Sequence, residues 1–141
     1  EFFKGTYLGR SVARCDWNRD GAEDTIISHL DSPAALLTNT TPNLGHFVSI
    51  HIRGTASDRD AIGTTVRMEV GGQTFVRQLT SGDGYQASNE RMIHFGLGES
   101  GTIDNLEVRW PTGNVESFTN LTVDRHILLV EGKREPVLLR Y

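Results

Sequence analysis

The chain is poor in the residues that most often settle a small protein's class. Of its 141 residues one is a cysteine, Cys15, which excludes an internal disulfide and any zinc site built from several thiolates. Cys15 stands in a strand-like stretch, where a small buried thiol is expected rather than an activated nucleophile. Basic residues are outnumbered, 14 Lys and Arg against 18 Asp and Glu, giving a formal net charge of -4. No local run of Lys or Arg reverses that balance, so nucleic acid and anionic membranes are disfavoured as partners. No apolar run reaches the length of a membrane span, and the N-terminus lacks the basic, apolar and small-residue order of a signal peptide. A start at Glu1-Phe2-Phe3 without Met is what a piece of a longer chain would show. Helical periodicity is missing as well: nowhere do apolar residues recur at i, i+3, i+4 and i+7 over helical length.

What is present is glycine and alternation. Glycine occurs 15 times, which suits many short strands joined by tight turns. Residues 11–15 and 25–29 are short and β-branched, and read as strands flanking an acidic loop. The aromatic stretch 2–8 is expected to add a short edge strand, and 34–39 another after a turn at Asp31-Ser32-Pro33. From residue 47 the alternation is clear. Val48, Ile50 and Ile52 point one way and Ser49, His51 and Arg53 the other, as in a half-buried strand. Val66, Met68 and Val70 alternate likewise, and Gly71-Gly72 joins their run to 73–79 as a hairpin. Further strands are expected at 91–97, 106–110, 115–118, 126–131 and 137–139. The fold class is all-β. A β-sandwich-like module is expected over 46–141, preceded over 1–45 by a separate β unit, with the boundary in the Pro- and Gly-bracketed segment 40–45.

Chemistry is densest at residues 16–24, Asp-Trp-Asn-Arg-Asp-Gly-Ala-Glu-Asp. Side-chain oxygens fall on alternate positions at Asp16, Asn18 and Asp20, Gly21 permits a sharp turn, and Asp24 closes the run. A loop curled around a hard cation presents every second residue inward, and calcium takes its ligands from carboxylates, amide oxygens and backbone carbonyls. The expected metal ligands are therefore the side chains of Asp16, Asn18, Asp20 and Asp24 and the backbone carbonyl of Ala22, around Ca2+. The loop is not an EF-hand, which needs a bidentate Glu at its twelfth position, where this chain has Ile27. The plainer alternative is an Asp- and Asn-rich hairpin turn without an ion, since these residues favour turns on their own. Carboxylates this close repel one another without a cation, which favours the metal.

Other motifs carry less. Gly96-Leu97-Gly98-Glu99-Ser100-Gly101 matches the dinucleotide-binding spacing, but residues 103–110 read as a strand, leaving no helix N-terminus for a pyrophosphate. His29, His46, His51, His94 and His126 include no pair at helical zinc spacing. No Gly-x-Ser-x-Gly elbow exists, and Ser81, Ser88 and Ser100 have no indicated His and Asp partners, so no catalytic residue is assigned. Distant carboxylates can converge in any fold, yet the acids here gather in one cation loop. Arg59, Asp60 and Tyr85, on loops, are candidates for a recognition patch. Asn39 and Asn120 open glycosylation sequons, which matter only in a secreted eukaryotic setting.

Gly9-Arg10-Ser11-Val12 leading into the acidic loop resembles the FG-GAP repeat (VCBS type), whose propeller blades carry a calcium loop between two strands. The remainder resembles the ASPIC/UnbV domain, the C-terminal module of cartilage acidic protein-like chains and of many bacterial exported or surface proteins. The matching residues are Arg53-Gly54-Thr55, Asp58-Arg59-Asp60-Ala61-Ile62-Gly63, Gly82-Asp83-Gly84-Tyr85, His94-Phe95-Gly96-Leu97-Gly98 and Val108-Arg109-Trp110-Pro111-Thr112-Gly113, spread over 47–131. Two positions depart from the pattern. Ala61 stands where the family's Asn-Arg-Asp-Gly-Ile-Gly run has glycine, and Ala22 where Asp is common in the calcium loop.

The resemblance implies that 1–45 is a last, partial β-propeller blade, with the remainder of the propeller upstream, and that the module has no assigned catalytic residues. The expected function is a non-enzymatic interaction module, secreted or at the cell surface (periplasmic or extracellular), that meets a protein or glycan partner and carries calcium as a structural ion. A carbohydrate-binding module is the alternative, with Trp17, Tyr85 and Trp110 as stacking candidates, although Trp110 shares a face with Leu106 and Val108 and suits the core. A further alternative is an accessory protein of a biosynthetic or hydrolytic enzyme, implied by the association of UnbV-like proteins with enediyne gene clusters.

Overall fold

The computed structural model describes residues 2–141, and all of its regular structure is strand apart from one 3-10 turn. No helix among the described residues is long and apolar enough to cross a membrane. The chain divides into two compact units, one of residues 1–41 and 82–90 and one of 42–81 and 91–141.

In the first unit, β1 (Gly9–Cys15), β2 (Asp24–His29) and β3 (Ala35–Leu37) form an antiparallel sheet in that order. Val12 pairs with Ile27, Arg14 with Thr25 and Cys15 with Asp24, so the acidic loop is the connection of a β-hairpin. Residues 2–8 depart from the expected edge strand. Phe2–Lys4 is a single 3-10 turn, the Phe2 ring stacks on Tyr7 with centroids 4.7 Å apart, and Tyr7 lies 5.0 Å from His29. Packed rings bury apolar surface, and Gly5 weakens any strand over this segment.

The open edge of β1 is met instead by residues 82–90. The Glu90 N–H donates to the Arg14 carbonyl at 2.9 Å, and the Arg14 N–H donates to Asn89 Oδ1 at 2.9 Å. An unpaired strand edge is a liability that proteins cover in this way. A division at residue 45 misses this segment, because its partners lie about 75 residues away in sequence and leave no local signal.

The second unit contains β4 (His46–Arg53), β5 (Thr65–Val70), β6 (Gln73–Gln78), β7 (Ile93–Gly98), β8 (Thr102–Ile103), β9 (Asn105–Arg109), β10 (Val115–Phe118), β11 (Leu121–Thr122), β12 (Arg125–Val130) and β13 (Val137–Leu139). They make two four-stranded sheets, β10-β9-β5-β6 and β13-β12-β4-β7, and a two-stranded β11-β8 ribbon. The pairing is antiparallel throughout except for β4 with β12, whose parallel register sets Ile50 beside Ile127 and Ile52 beside Leu129. Parallel neighbours need a long crossover, and the intervening strands supply it. Gly71 and Gly72, at φ 54° and 79°, turn β5 into β6, the backbone that a two-residue hairpin with right-handed twist requires.

Alternation explains the core. Val66, Met68, Leu106 and Val108 from one sheet and Val48, Ile50, Phe95, Ile127 and Leu129 from the other belong to one buried cluster, with Trp110 among them at 1% exposure. The architecture is thus all-β and sandwich-like. Strand β4 is more deeply buried than alternation suggests: Ser49 is fully buried, and its hydroxyl hydrogen-bonds His94 Nδ1 at 2.9 Å. The reason is position, since β4 lies between β7 and β12 and both of its faces are covered near the centre.

Leu106→Ala, at a site with no solvent exposure, is expected to cost about 2–5 kcal/mol through lost burial and a residual cavity. Urea denaturation measures it directly.

Candidate functional site

The acidic loop is curled by its own hydrogen bonds. Arg19, at φ 61°, and Gly21, at φ 86°, bend the backbone back on itself. Asp16 Oδ1 then accepts the Asp20 N–H at 3.1 Å, and Oδ2 accepts the Gly21 N–H at 3.0 Å. At the other end, Asp24 accepts the Trp17 N–H at 3.1 Å and the Asn39 N–H at 2.7 Å. Both carboxylates are buried, at 0% and 1% exposure. Asp20 is exposed: it accepts the Ala22 N–H at 2.9 Å and the Asn18 side-chain N–H at 2.7 Å. Glu90, from the segment paired with β1, accepts the Asp16 N–H and forms an ion pair with Arg19.

This donor set is all oxygen, the kind that suits a hard cation. Its convergence is incomplete: among the described residues no three His, Cys, Asp or Glu side chains are gathered closely enough to hold a metal. The Asn18–Asp20 hydrogen bond is the contact an ion would have to replace. Burial first, and then the charges of Glu90 and Asp24, push the Cys15 thiol above its ordinary range, which suits an inert side chain and not a nucleophile.

Of the aromatic candidates, Trp17 is 54% exposed, with its indole N–H donating to Thr38 Oγ1 at 3.0 Å. Tyr85 is 57% exposed, and the Arg10 guanidinium lies over its ring at 4.6 Å. Trp110 is a core residue. Arg59 and Asp60 lie in the second unit, and Tyr85 in the first.

In the second unit a single carboxylate organises the loop after β4. Glu131 Oε2 accepts the N–H groups of Thr55, Ala56 and Ser57 at 3.0, 2.9 and 2.6 Å, while Oε1 accepts the hydroxyls of Ser57 and Thr112 at 3.0 Å each. Burial alone would raise the pKa of this carboxyl. The amides of Ser57 and Thr55 and the hydroxyls of Thr112 and Ser57 outweigh that and hold it at about 2, below its ordinary 4.5.

Gly54 opens this loop because no side chain fits: a Cβ there would stand 2.2 Å from the Asp58 carbonyl oxygen. The Gly54 N–H donates to the Arg59 carbonyl, and the Ala61 N–H to that of Asp58. Ala61, buried at 1% exposure, takes φ 47°. That left-handed backbone accounts for a glycine in the related run, and alanine tolerates it at a cost of about 1 kcal/mol. The loop borders a cleft of about 730 Å3 lined by His51, Arg53, Asp58, Arg59, Asp60 and Arg91, together with apolar side chains. Arg91 is hydrogen-bonded to Asp60. Sequence reasoning found Arg59 and Asp60 and missed Glu131, Arg53 and Arg91. Glu131 reads there only as the end of an apolar strand, and its partners in the loop are 74 to 76 residues away.

Glu131→Gln is expected to destabilise the domain at neutral pH by about 2–3 kcal/mol, because three amides lose a charged acceptor. With its folded pKa depressed, Glu131 contributes fully above about pH 4.5 and progressively less as pH falls towards about 2. Melting temperatures across that range should therefore fall more steeply for the native protein than for the variant. Gly54→Ala should be at least as damaging at every pH.

The family model described as ASPIC and UnbV matches residues 54–136. No curated protein matches the chain. The match opens on Gly54, where no side chain fits, runs past Glu131, which holds the loop amides, and takes in more than half of the sequence; the chain belongs to the ASPIC and UnbV family.

Proposed function

We propose that the chain is a non-enzymatic interaction module of the extracellular space or cell surface, with a structural calcium site in a partial FG-GAP-type propeller blade. The observation that carries this reading is the use made of its buried carboxylates. Asp16, Asp24 and Glu131 all accept backbone N–H groups and fix loops in place. A carboxyl held near pKa 2, as Glu131 is, neither takes nor gives a proton usefully at neutral pH. Groups committed in this way shape surfaces for recognition.

The β1–β3 sheet supports the partial-blade reading. Val12, on one face, is 51% exposed, and Ile26 and Leu36, on the other, are 39% and 47% exposed. Ala22 is the one fully buried hydrophobic residue of that unit among the described residues. A propeller blade is covered on both faces by its neighbours, so further blades of a longer protein are the natural cover. In the calcium site, Asp16, Asn18, Asp20 and Asp24 would hold the ion through their side chains and Ala22 through its carbonyl. The ion would supply the positive charge that lets these oxygens converge.

A carbohydrate-binding reading draws on the exposure of Trp17 and Tyr85. It is weakened by Arg10, which occupies one face of the Tyr85 ring. Retention on a glycan array that disappears in a Trp17→Ala, Tyr85→Ala double variant would favour it over a protein partner.

Extracellular calcium modules commonly bind with Kd near 10⁻⁴ to 10⁻³ M. At ten times Kd, binding to the native state alone contributes about 1.4 kcal/mol. Calcium should therefore raise the melting temperature, and Asp20→Asn, which removes the charge but keeps an oxygen for the Ala22 N–H, should shrink the shift while leaving calcium-free stability nearly unchanged. An identical melting curve with and without millimolar calcium sinks the metal assignment.

A further inference from the structure

We propose that the cleft beside the loop after β4 is a peptide-binding site that takes a single acidic side chain. The proposal rests on the interaction-module reading and names the partner chemistry for one surface of it. Three observations meet here. The cleft, about 730 Å3, is of the size that small-ligand and short-peptide sites occupy. Its wall is preassembled: Glu131 holds the amides of residues 55–57, and the Gly54 and Ala61 N–H groups are bonded within the same loop. Little ordering therefore remains to be done on binding.

The third observation is charge. Arg91 is engaged by Asp60, whereas Arg53 and Arg59 have no ion pair among the described residues. Arg53 and Arg59 both line this cleft, and the planar donors of an arginine match a carboxylate. The same lining also carries the carboxylates of Asp58 and Asp60, and the protein bears a net charge of -4. With Arg53, Arg59 and Arg91 against Asp58 and Asp60 the lining keeps a single net positive charge, enough for one carboxylate. The further charges of a polyanion such as an acidic glycan or nucleic acid would meet those aspartates and the protein's overall negative charge. One isolated carboxylate flanked by uncharged groups carries no such further charges. Ile62, Pro111 and Leu128 add apolar surface, which suits an aliphatic neighbour of the acidic residue and offers no exposed aromatic platform for a sugar. The occupant that satisfies every wall is a peptide segment with one Glu or Asp beside aliphatic residues.

The probe is a terminally blocked, fluorescent peptide array in which one Glu sits among Leu, Ser and Gly, with the matching Gln array, heparin and polygalacturonate as comparisons. Glu peptides should bind at least tenfold more tightly than their Gln counterparts and weaken with added salt. They should also perturb the amide NMR signals of residues 51–62 and 91. Arg53→Gln with Arg59→Gln should remove the preference, and Arg125→Gln should not. Should the double variant melt early, Arg59→Gln alone, at an exposed position, carries the test. Equal binding of Glu and Gln peptides overturns the proposal, as does binding of heparin or polygalacturonate at the cleft in their place. Peptide binding that maps to other residues also overturns it, while leaving the interaction-module reading standing.

Discussion

A carboxylate removed from water must be repaid in hydrogen bonds, and Glu131 is repaid five times over. Three of the donors are consecutive backbone amides, Thr55 to Ser57, in the loop that leaves the core sheet. The bond runs in the other direction too: the Thr55 hydroxyl donates to the Glu131 carbonyl, and the Glu131 N–H donates to the carbonyl of Arg53. The ends of the parallel strands β4 and β12 are thereby tied together where sheet pairing stops. In the same loop Gly54 has no room for a side chain, because the Asp58 carbonyl oxygen stands where a Cβ would go, and Ala61 takes a left-handed conformation.

The two units are stabilised by different means. In the second, interdigitated apolar side chains from two sheets exclude water, and Trp110, Phe95 and Met68 are almost wholly enclosed. In the first, polar loops do the fixing: the acidic loop folds on Asp16 and Asp24, and residues 82–90 close the edge of β1. Large apolar side chains there stay half exposed. Burial of apolar surface is the dominant favourable term in folding, so the first unit has much to gain from a cover and from any ion that relieves its crowded acids.

Much of this was readable from residue order. The alternation of Val66, Met68 and Val70 and the Gly71-Gly72 link predict β5, β6 and their turn, and the face shared by Leu106, Val108 and Trp110 predicts a buried tryptophan. Strand patterning is a local property and survives in one dimension. The acidic loop was legible as a hairpin connection for the same reason. The Glu131 knot, the pairing of 82–90 with β1 and the burial of Ser49 were not legible, because each depends on which strands become neighbours. Composition misled at residues 2–8, where aromatic content suggested a strand and the rings instead pack on one another and on His29.

A loop that is ordered beforehand loses less freedom when anything binds beside it. Glu131 supplies that order here. Amide hydrogen exchange at Thr55, Ala56 and Ser57 tests this most directly, since exchange reports the free energy of local opening. The expected result at neutral pH is protection of these three amides comparable to the central strands β4 and β9, lost in Glu131→Gln. Exchange as fast as that of an exposed turn in the native protein, or protection unchanged in the variant, would contradict the account.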